Sequence, residues 1–368
     1  MARLGDYVKI KTGKLDANAS SENGQYPFFT CSVEPLKIDT YSYDCECVLV
    51  AGNGDLNVKY YNGKFNAYQR TYIIESENKN VLSVPYLYCF LDRYVEELRK
   101  QSIGGVIKYI KLGNLTEAQV PMCSIAEQNE IVENLNKVNT LITLRKQQLS
   151  NLDEIVKSRF IEMFGDPIQN PLGWKTDLLK NITSKIGSGA TPKGGKESYQ
   201  EDGIALIRSM NVHDGRFEYQ DLAHITDEQA KQLDNVTVEE NDVFINITGA
   251  SVARSCIVPK HILPARVNQH VAIIRCITSI LTPIFANQMF LNTSFKGQLL
   301  DIGESGGATR QAITKQQLET LTVIIPPFEL QERFAAFVEQ TDKSKLAIQQ
   351  SLEKLETLKK ALMQKYFG

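Results

Sequence analysis

One tryptophan, four histidines and no uncharged apolar run near the ~18 residues of a membrane-spanning helix are what this sequence has least of. His213, His224, His261 and His270 are scattered, match neither HExxH nor any other metal spacing, and read as structural histidines. The seven cysteines, at 31, 45, 47, 89, 123, 256 and 276, are odd in number and form no CxxC pair, so free buried thiols are expected. The opening MARLGDYVKIKTG has no apolar h-region, and with no spanning run elsewhere the expectation is a cytoplasmic protein. An excess of charge is missing too: 41 basic against 43 acidic side chains give a net charge of −2. Contact with nucleic acid would therefore need local placement of Lys and Arg, or a more basic partner.

Catalytic signatures are equally scarce. There is no GxSxG elbow, no Cys/His pair at a family spacing, and no pattern among the carboxylates, so the expectation is a non-enzyme. A self-sufficient methyltransferase would need a [DNS]PP[YFW] motif, which does not occur. Gly187–Lys196, GSGATPKGGK, invites a phosphate-loop reading. The GxxxxGK[ST] frame would need Gly at Ala190 and Ser or Thr at Glu197, and GxGxxG would need Gly at Pro192. It is either a flexible basic loop offering Lys193 and Lys196 to a DNA backbone or a plain surface loop.

What is present is a repeat. Residues 125–165 return as residues 328–368, pairing Gln128 with Gln331, Leu149 with Leu352, Leu152 with Leu355, Lys157 with Lys360, Phe164 with Phe367 and Gly165 with Gly368. In the first copy Ile131, Leu135, Val138, Ile142, Leu149, Leu152 and Val156 recur at steps of four and three, with Arg145 filling one position, which is a heptad seam. Such a helix, roughly 36 residues, would be about 54 Å long at about 1.5 Å per residue. It reads as a strut, ended by Gly165 and Asp166-Pro167.

The rest repeats more loosely. In residues 1–123, CVLVAG, VKYYNGKF and QRTYIIE are strand-like, Asn62-Gly63 carries a hairpin signal, and Pro85–Lys100 has helical spacing. In residues 174–327, DVFINITGAS stands where CVLVAGNGD stood, VNQHVAII matches AYQRTYII, and ESGGATRQAITK matches QSIGGVIKYIKL. The order is domain, strut, domain, strut: residues 1–123, 124–165, 166–327 and 328–368. Strands and a few helices mix without βαβ alternation, so the fold class is α+β.

Polar and aromatic residues interleave with Lys and Arg at the turns of both halves. The first half offers Lys59, Tyr61, Lys64, Asn66, Tyr68, Gln69, Arg70 and Lys108. The second offers Thr191, Lys193, Arg208, Asn211, Arg216, Thr248, Ser251, Arg254, Asn268, Gln269, Arg310 and Gln311. Asn, Gln and Arg can pair bidentately with A and G edges, while Lys and Arg anchor phosphates. The bland reading is a solvated surface; recurrence, as at Gln69 and Gln269, favours DNA.

Taken together, the tandem order, Trp174-Lys175 with Leu178 and the GSGATP loop, SGGATRQAI before Val323-Ile324-Ile325-Pro326-Pro327, and helices ending in MFG and YFG resemble the specificity subunit of type I restriction-modification systems. The first half departs from the pattern, with Lys11-Thr12-Gly13-Lys14 in place of the Trp and the G-x-G-x-T-P loop. The resemblance implies two target-recognition domains, each reading half of a split, asymmetric DNA target. The two long helices would form an antiparallel coiled coil, set the gap between half-sites, and bind two modification (methyltransferase) subunits. It also implies no cofactor in this chain: the partners, including restriction/translocase subunits, would bring S-adenosylmethionine, ATP and magnesium. The competing class is a non-DNA coiled-coil scaffold carrying two protein-binding domains.

Overall fold

The computed structural model describes residues 1–304 and 311–368, which divide into two compact units. Unit 1 is residues 1–147 with 349–368, and unit 2 is residues 148–348. The end of the chain thus belongs to the unit that contains its beginning.

Unit 1 is built on strands β1 (Val8–Thr12), β2 (Tyr26–Phe29), β3 (Leu36–Ile38), β4 (Tyr43–Ala51), β5 (Val58–Ala67) and β6 (Thr71–Ser76). They form a six-stranded sheet in the order β1-β6-β4-β5-β2-β3, antiparallel except where β2 meets the end of β5. Helix α1 (Val84–Gln101) packs on it, with Ser83 as N-cap accepting from the Tyr86 amide and Pro85 in the first turn. The hairpin expected at Asn62-Gly63 does not form: β5 runs straight through it, Asn62 opposite Glu46 and Gly63 opposite Cys45. The turn signal loses because β4 supplies an unbroken partner edge, and Gly63 absorbs the irregularity at φ +139°.

Unit 2 repeats the plan with β7 (Thr183–Ser188), β8 (Ile204–Ile207), β9 (Ala223–Ile225), β10 (Val243–Asn246), β11 (Ser255–Ile257), β12 (Ala265–Val267) and β13 (Val271–Cys276). Among the described residues these pair as β7-β13-β10-β11 and β9-β8-β12. The parallel contact recurs: Phe28 and Phe29 lie beside Asn66 and Ala67, as Leu206 and Ile207 lie beside Arg266 and Val267. The single long β5 of unit 1 corresponds to two pieces here, β11 and β12. Helix α3 (Pro283–Leu291) stands where α1 stood, capped by Thr282, which accepts from the Phe285 amide.

Between and after these elements lie two helices of 40 residues each, α2 (Ile125–Phe164) and α4 (Phe328–Phe367). At about 1.5 Å per residue each is about 60 Å long. In unit 1 the start of α2 (Ile131, Val132, Leu135) shares a core with the end of α4 (Leu362, Met363, Phe367), and Lys146 pairs with Glu356. In unit 2 the end of α2 (Val156, Phe160, Phe164) meets the start of α4 (Phe334, Val338), and Lys345 pairs with Asp153. Opposite ends meet in both units, so the helices run antiparallel. Every predicted seam residue from Ile131 to Val156 is buried or half-buried, while Leu141 and Leu144 beside the seam are exposed.

The ends are locked by aromatic rings. Phe164 lies 4.7 Å from the Phe285 ring of α3, and Phe367 lies 5.2 Å from Tyr86 of α1. Gly165 takes φ +73° as the left-handed C-terminal residue, and the Trp174 indole donates to the orphan carbonyl of Phe164 at 2.9 Å. Among the described residues no helix is long and apolar enough to cross a membrane.

Candidate nucleic-acid interface

In each unit several loops are drawn together at one place by the same backbone hydrogen bonds. The Tyr68 amide donates to Phe29 as that of Asn268 does to Ile207, at 2.9 and 3.0 Å. Gly52 donates to Arg70 as Ile247 does to His270, at 2.8 and 3.0 Å. Ile110 donates to Gly52 and Ile313 to Ile247, at 2.9 and 2.8 Å. Gly54 donates to Lys108 and Gly249 to Gln311, both at 2.9 Å, and both glycines need a left-handed backbone, φ +69° and +74°. The turn 68–70 corresponds to 268–270, Thr30 to Arg208, and Lys108 to Gln311.

The departure at the start of the first half is smaller in space than in sequence. Thr12 pairs with Tyr72 and Ser188 with Ala272, so the residues that follow, Gly13 and Gly189, occupy equivalent places. A Cβ on Gly13 would lie 2.2 Å from the Ala67 carbonyl oxygen, and one on Gly189 would lie 1.8 Å from that of Val267. Glycine is needed at both because backbone presses on backbone. Gly13→Ala and Gly189→Ala should each destabilise their unit by about 1–3 kcal/mol, the range for overpacking, read as a lowered urea midpoint. The signal available in sequence was a glycine directly after the first strand of each half.

The side chains dress this shared frame differently. In unit 1 the exposed Gln69 donates from Nε2 to Asp16 Oδ1 at 2.9 Å. A carboxylate only accepts, so the amide is held with Oε1 and its second N–H turned elsewhere. In unit 2 a chain of four polar side chains replaces this pair. The Thr191 hydroxyl donates to Gln269 Oε1 at 2.6 Å, Gln269 Nε2 meets His270 Nε2 at 3.0 Å, and His270 Nδ1 meets Thr248 Oγ1. With the amide donating to Nε2, the ring proton sits on Nδ1 and points at Thr248. His270 is thus a satisfied histidine, as the sequence suggested, but it sits inside the site.

Other predicted residues fall into three groups. Asn66, Asn211 and Asn268 are buried and used internally: Asn66 donates to Thr40, Asn211 to Glu218 while accepting from the Arg208 amide, and Asn268 accepts from the His270 amide. Tyr61 packs in the aromatic cluster of Phe29 and Phe65, and the Lys64 ammonium lies 4.7 Å from the centre of the Tyr41 ring. At the frame itself are Tyr68, Arg70 and Lys108 in unit 1, and Arg208, Ser251, Arg254, Gln311 and the loop carrying Lys193 in unit 2. Lys59 lies beside them through Asn57, which donates to Cys31, and burial pushes its ammonium pKa down. Arg208 stacks over Tyr199 at 5.3 Å, and Gln311 donates to Glu304. Arg310 and the Lys196 side chain lie outside the described residues.

Many basic side chains pair with a carboxylate, while others, Lys9, Lys14, Lys37 and Lys185 among them, reach none among the described residues. Arg3, Lys11, Lys79, Arg99, Lys137, Lys157, Arg159 and Arg275 all reach a carboxylate within 4.0 Å. Among the described residues, Lys59, Arg70 and Lys108 of unit 1 and Lys193, Arg208 and Arg254 of unit 2 have no such partner. A nearly neutral protein thereby keeps unneutralised cations where its loops converge.

Comparison with known proteins gives a consistent result. The family model described as the type I restriction modification DNA specificity domain matches residues 1–154 and again 171–359. The specificity subunit of the type I restriction enzyme EcoDI from Escherichia coli is 40% identical over 154 residues, which is 42% of this chain and 34% of that protein. The EcoBI specificity subunit, also from Escherichia coli, is 22% identical over 312 residues, 77% of this chain and 64% of that one. This chain therefore spans between about a third and two thirds of the length of those curated relatives. Among solved structures, the S subunit of a type I restriction-modification system from M. genitalium shares the fold at a TM-score of 0.63 and 14% identity, covering 100% of this chain and 95% of that one. A chain from a study of the assembly and conformational transition of a type I system matches at 0.58 and 17%, covering 100% and 96%.

Proposed function

Because this chain belongs to the type I restriction-modification DNA specificity family, we propose that it reads a bipartite, asymmetric DNA target without catalysis of its own. It would hand that specificity to two modification subunits carrying S-adenosylmethionine and, in a larger cytoplasmic assembly, to restriction/translocase subunits using ATP and magnesium. The observation that carries the reading is the doubled loop frame: one backbone scaffold, built twice, with unpaired cations at both copies and different side chains on each. The same scaffold suits the same task, and the different dressing suits two different half-sequences. Unneutralised Arg and Lys supply phosphate contacts, and amide and guanidinium groups read base edges.

The Asp16–Gln69 pair makes the reading chemical. With one N–H committed to Asp16, Gln69 still offers an acceptor and a donor side by side, the pattern complementary to adenine N6 and N7 in the major groove. Gln69→Ala should relax one base position in one half-site by about 1–3 kcal/mol and leave the other half unchanged. Arg70→Ala and Lys108→Ala should instead weaken all sequences alike and each lower the salt slope of binding by about one. Mapping methylated positions in DNA from cells carrying this chain and its partner subunits tests the whole proposal. A palindromic methylome, or one unchanged when the chain is deleted, refutes it.

A further inference from the structure

Resting on that DNA-reading proposal, we infer that the loop Ile103–Tyr109 of unit 1 is a wedge that enters the duplex and unstacks one base step, giving this half of the target a kink that the other half lacks. The loop is a small stem with an apolar tip. Ile103 and Tyr109 exchange both backbone hydrogen bonds, at 3.0 and 2.9 Å. The stem is fixed to the loop frame by Gly54 donating to Lys108, by the bridge from Asn53 to Tyr109, and by the buried Ile110, whose amide donates to Gly52 and whose carbonyl accepts from the Tyr72 hydroxyl. At the tip, Val106 is 103% exposed and Ile107 62%. Gly104, at φ +118°, brings the returning chain so near that a Cβ would lie 2.6 Å from the Ile107 carbonyl oxygen. Two β-branched side chains are therefore held out in water by a rigid stem, an arrangement that burial in the free protein does not explain.

The cations beside the tip favour a nucleic acid as what covers it. A wedge between stacked bases needs only one or two apolar side chains, flanked by cations to hold the phosphates on either side. Lys108 is next to the tip in sequence. Arg70, held to Gly52 two residues before the Gly54 that binds Lys108, is its neighbour on the frame. Neither has a carboxylate partner among the described residues. The matching stretch of the second half, ESGGATRQA, contains no Val, Ile, Leu or aromatic residue, so the wedge belongs to one half alone.

The test uses the chain assembled with its modification subunits on short duplexes bearing its target, without methyl donor. 2-Aminopurine replaces one adenine at a time within and beside both half-sites, leaving the methylated adenines and the adenine assigned to Gln69 untouched, and binding is followed separately by anisotropy. One step, in one half-site, should brighten severalfold on binding. The double variant Val106→Ser/Ile107→Ser should lose that signal while still binding the same sequence, and Val106→Leu/Ile107→Leu should keep it. Serine at an exposed tip leaves the core intact, so circular dichroism should be unchanged. Tight specific binding with every step dark, or equal brightening by the serine variant, overturns the wedge and leaves the DNA-reading proposal standing. Failure of the wild-type assembly to bind the target specifically overturns both.

Discussion

Replacing Gln128 with leucine should destabilise unit 1 by about 4 kcal/mol, and Gln331→Leu should do the same to unit 2. Each glutamine is fully buried near the start of a long helix. Gln128 accepts from the Ser83 amide and donates to the carbonyls of Val81 and Cys123, at 2.9, 2.8 and 3.0 Å. Gln331 accepts from the Thr282 amide and donates to Ile280 and Pro326, at 2.9, 3.0 and 2.9 Å. One side chain thereby ties the helix to the residue that caps α1 or α3 and to the loops before both helices. Leucine fills the space but leaves three backbone groups without partners, each costing about 1–3 kcal/mol when buried. Against a usual total of about 5–15 kcal/mol, that is enough to leave the unit barely folded. The two units can be followed separately, because the only tryptophan, Trp174, lies in unit 2. In urea, Gln331→Leu should lower the midpoint seen by fluorescence, whereas Gln128→Leu should lower only a phase seen by circular dichroism. Unchanged midpoints in both would show that these hydrogen bonds are dispensable.

Gln128 and Gln331 also show where sequence stops. Their recurrence at matching places was visible, but their purpose was not, since a glutamine near a helix start is ordinarily a surface residue. The long helices were legible because a heptad seam depends only on spacing along one helix, and α1 because Pro85 and the apolar periodicity agree with its cap. The Asn62-Gly63 turn was misread because a strand's partner is chosen at long range: β4 is continuous, and a local turn signal is overridden when its neighbours are already paired. The structure sorts the residues proposed from sequence for the DNA face by position alone. Gln69, Arg70, Lys108, Thr191, Thr248, Gln269 and Gln311 are gathered by the loop frame, whereas Asn66, Asn211 and Asn268 hydrogen-bond within the protein. Composition does not distinguish an asparagine that closes its own turn from one that faces a ligand. The roles of Asp16 and Gly13 were not legible because they lie in what these residues meet, across more than fifty residues of chain.

A four-residue insertion in α2 at Leu141–Leu144 should widen the gap between half-sites by about one or two base pairs while both half-sequences stay the same. Helix α2 begins among residues of unit 1 and ends among those of unit 2 without a break. Four residues add about 6 Å and little more than one helical turn, against about 3.4 Å per base pair of DNA. The place is chosen because Leu141 and Leu144 are exposed and the seam between Ile142 and Leu149 is already interrupted by Arg145, so an extra turn displaces few buried contacts. One helix then outgrows its antiparallel partner by a turn, and some stability is lost. A two-residue insertion rotates everything after it by about 200° and moves Leu149, Leu152 and Val156 off the buried face, so activity should collapse. Mapping methylation in cells carrying each variant reads the result directly. Retained methylation with an unchanged gap in the four-residue variant would mean that these helices do not measure the distance between half-sites.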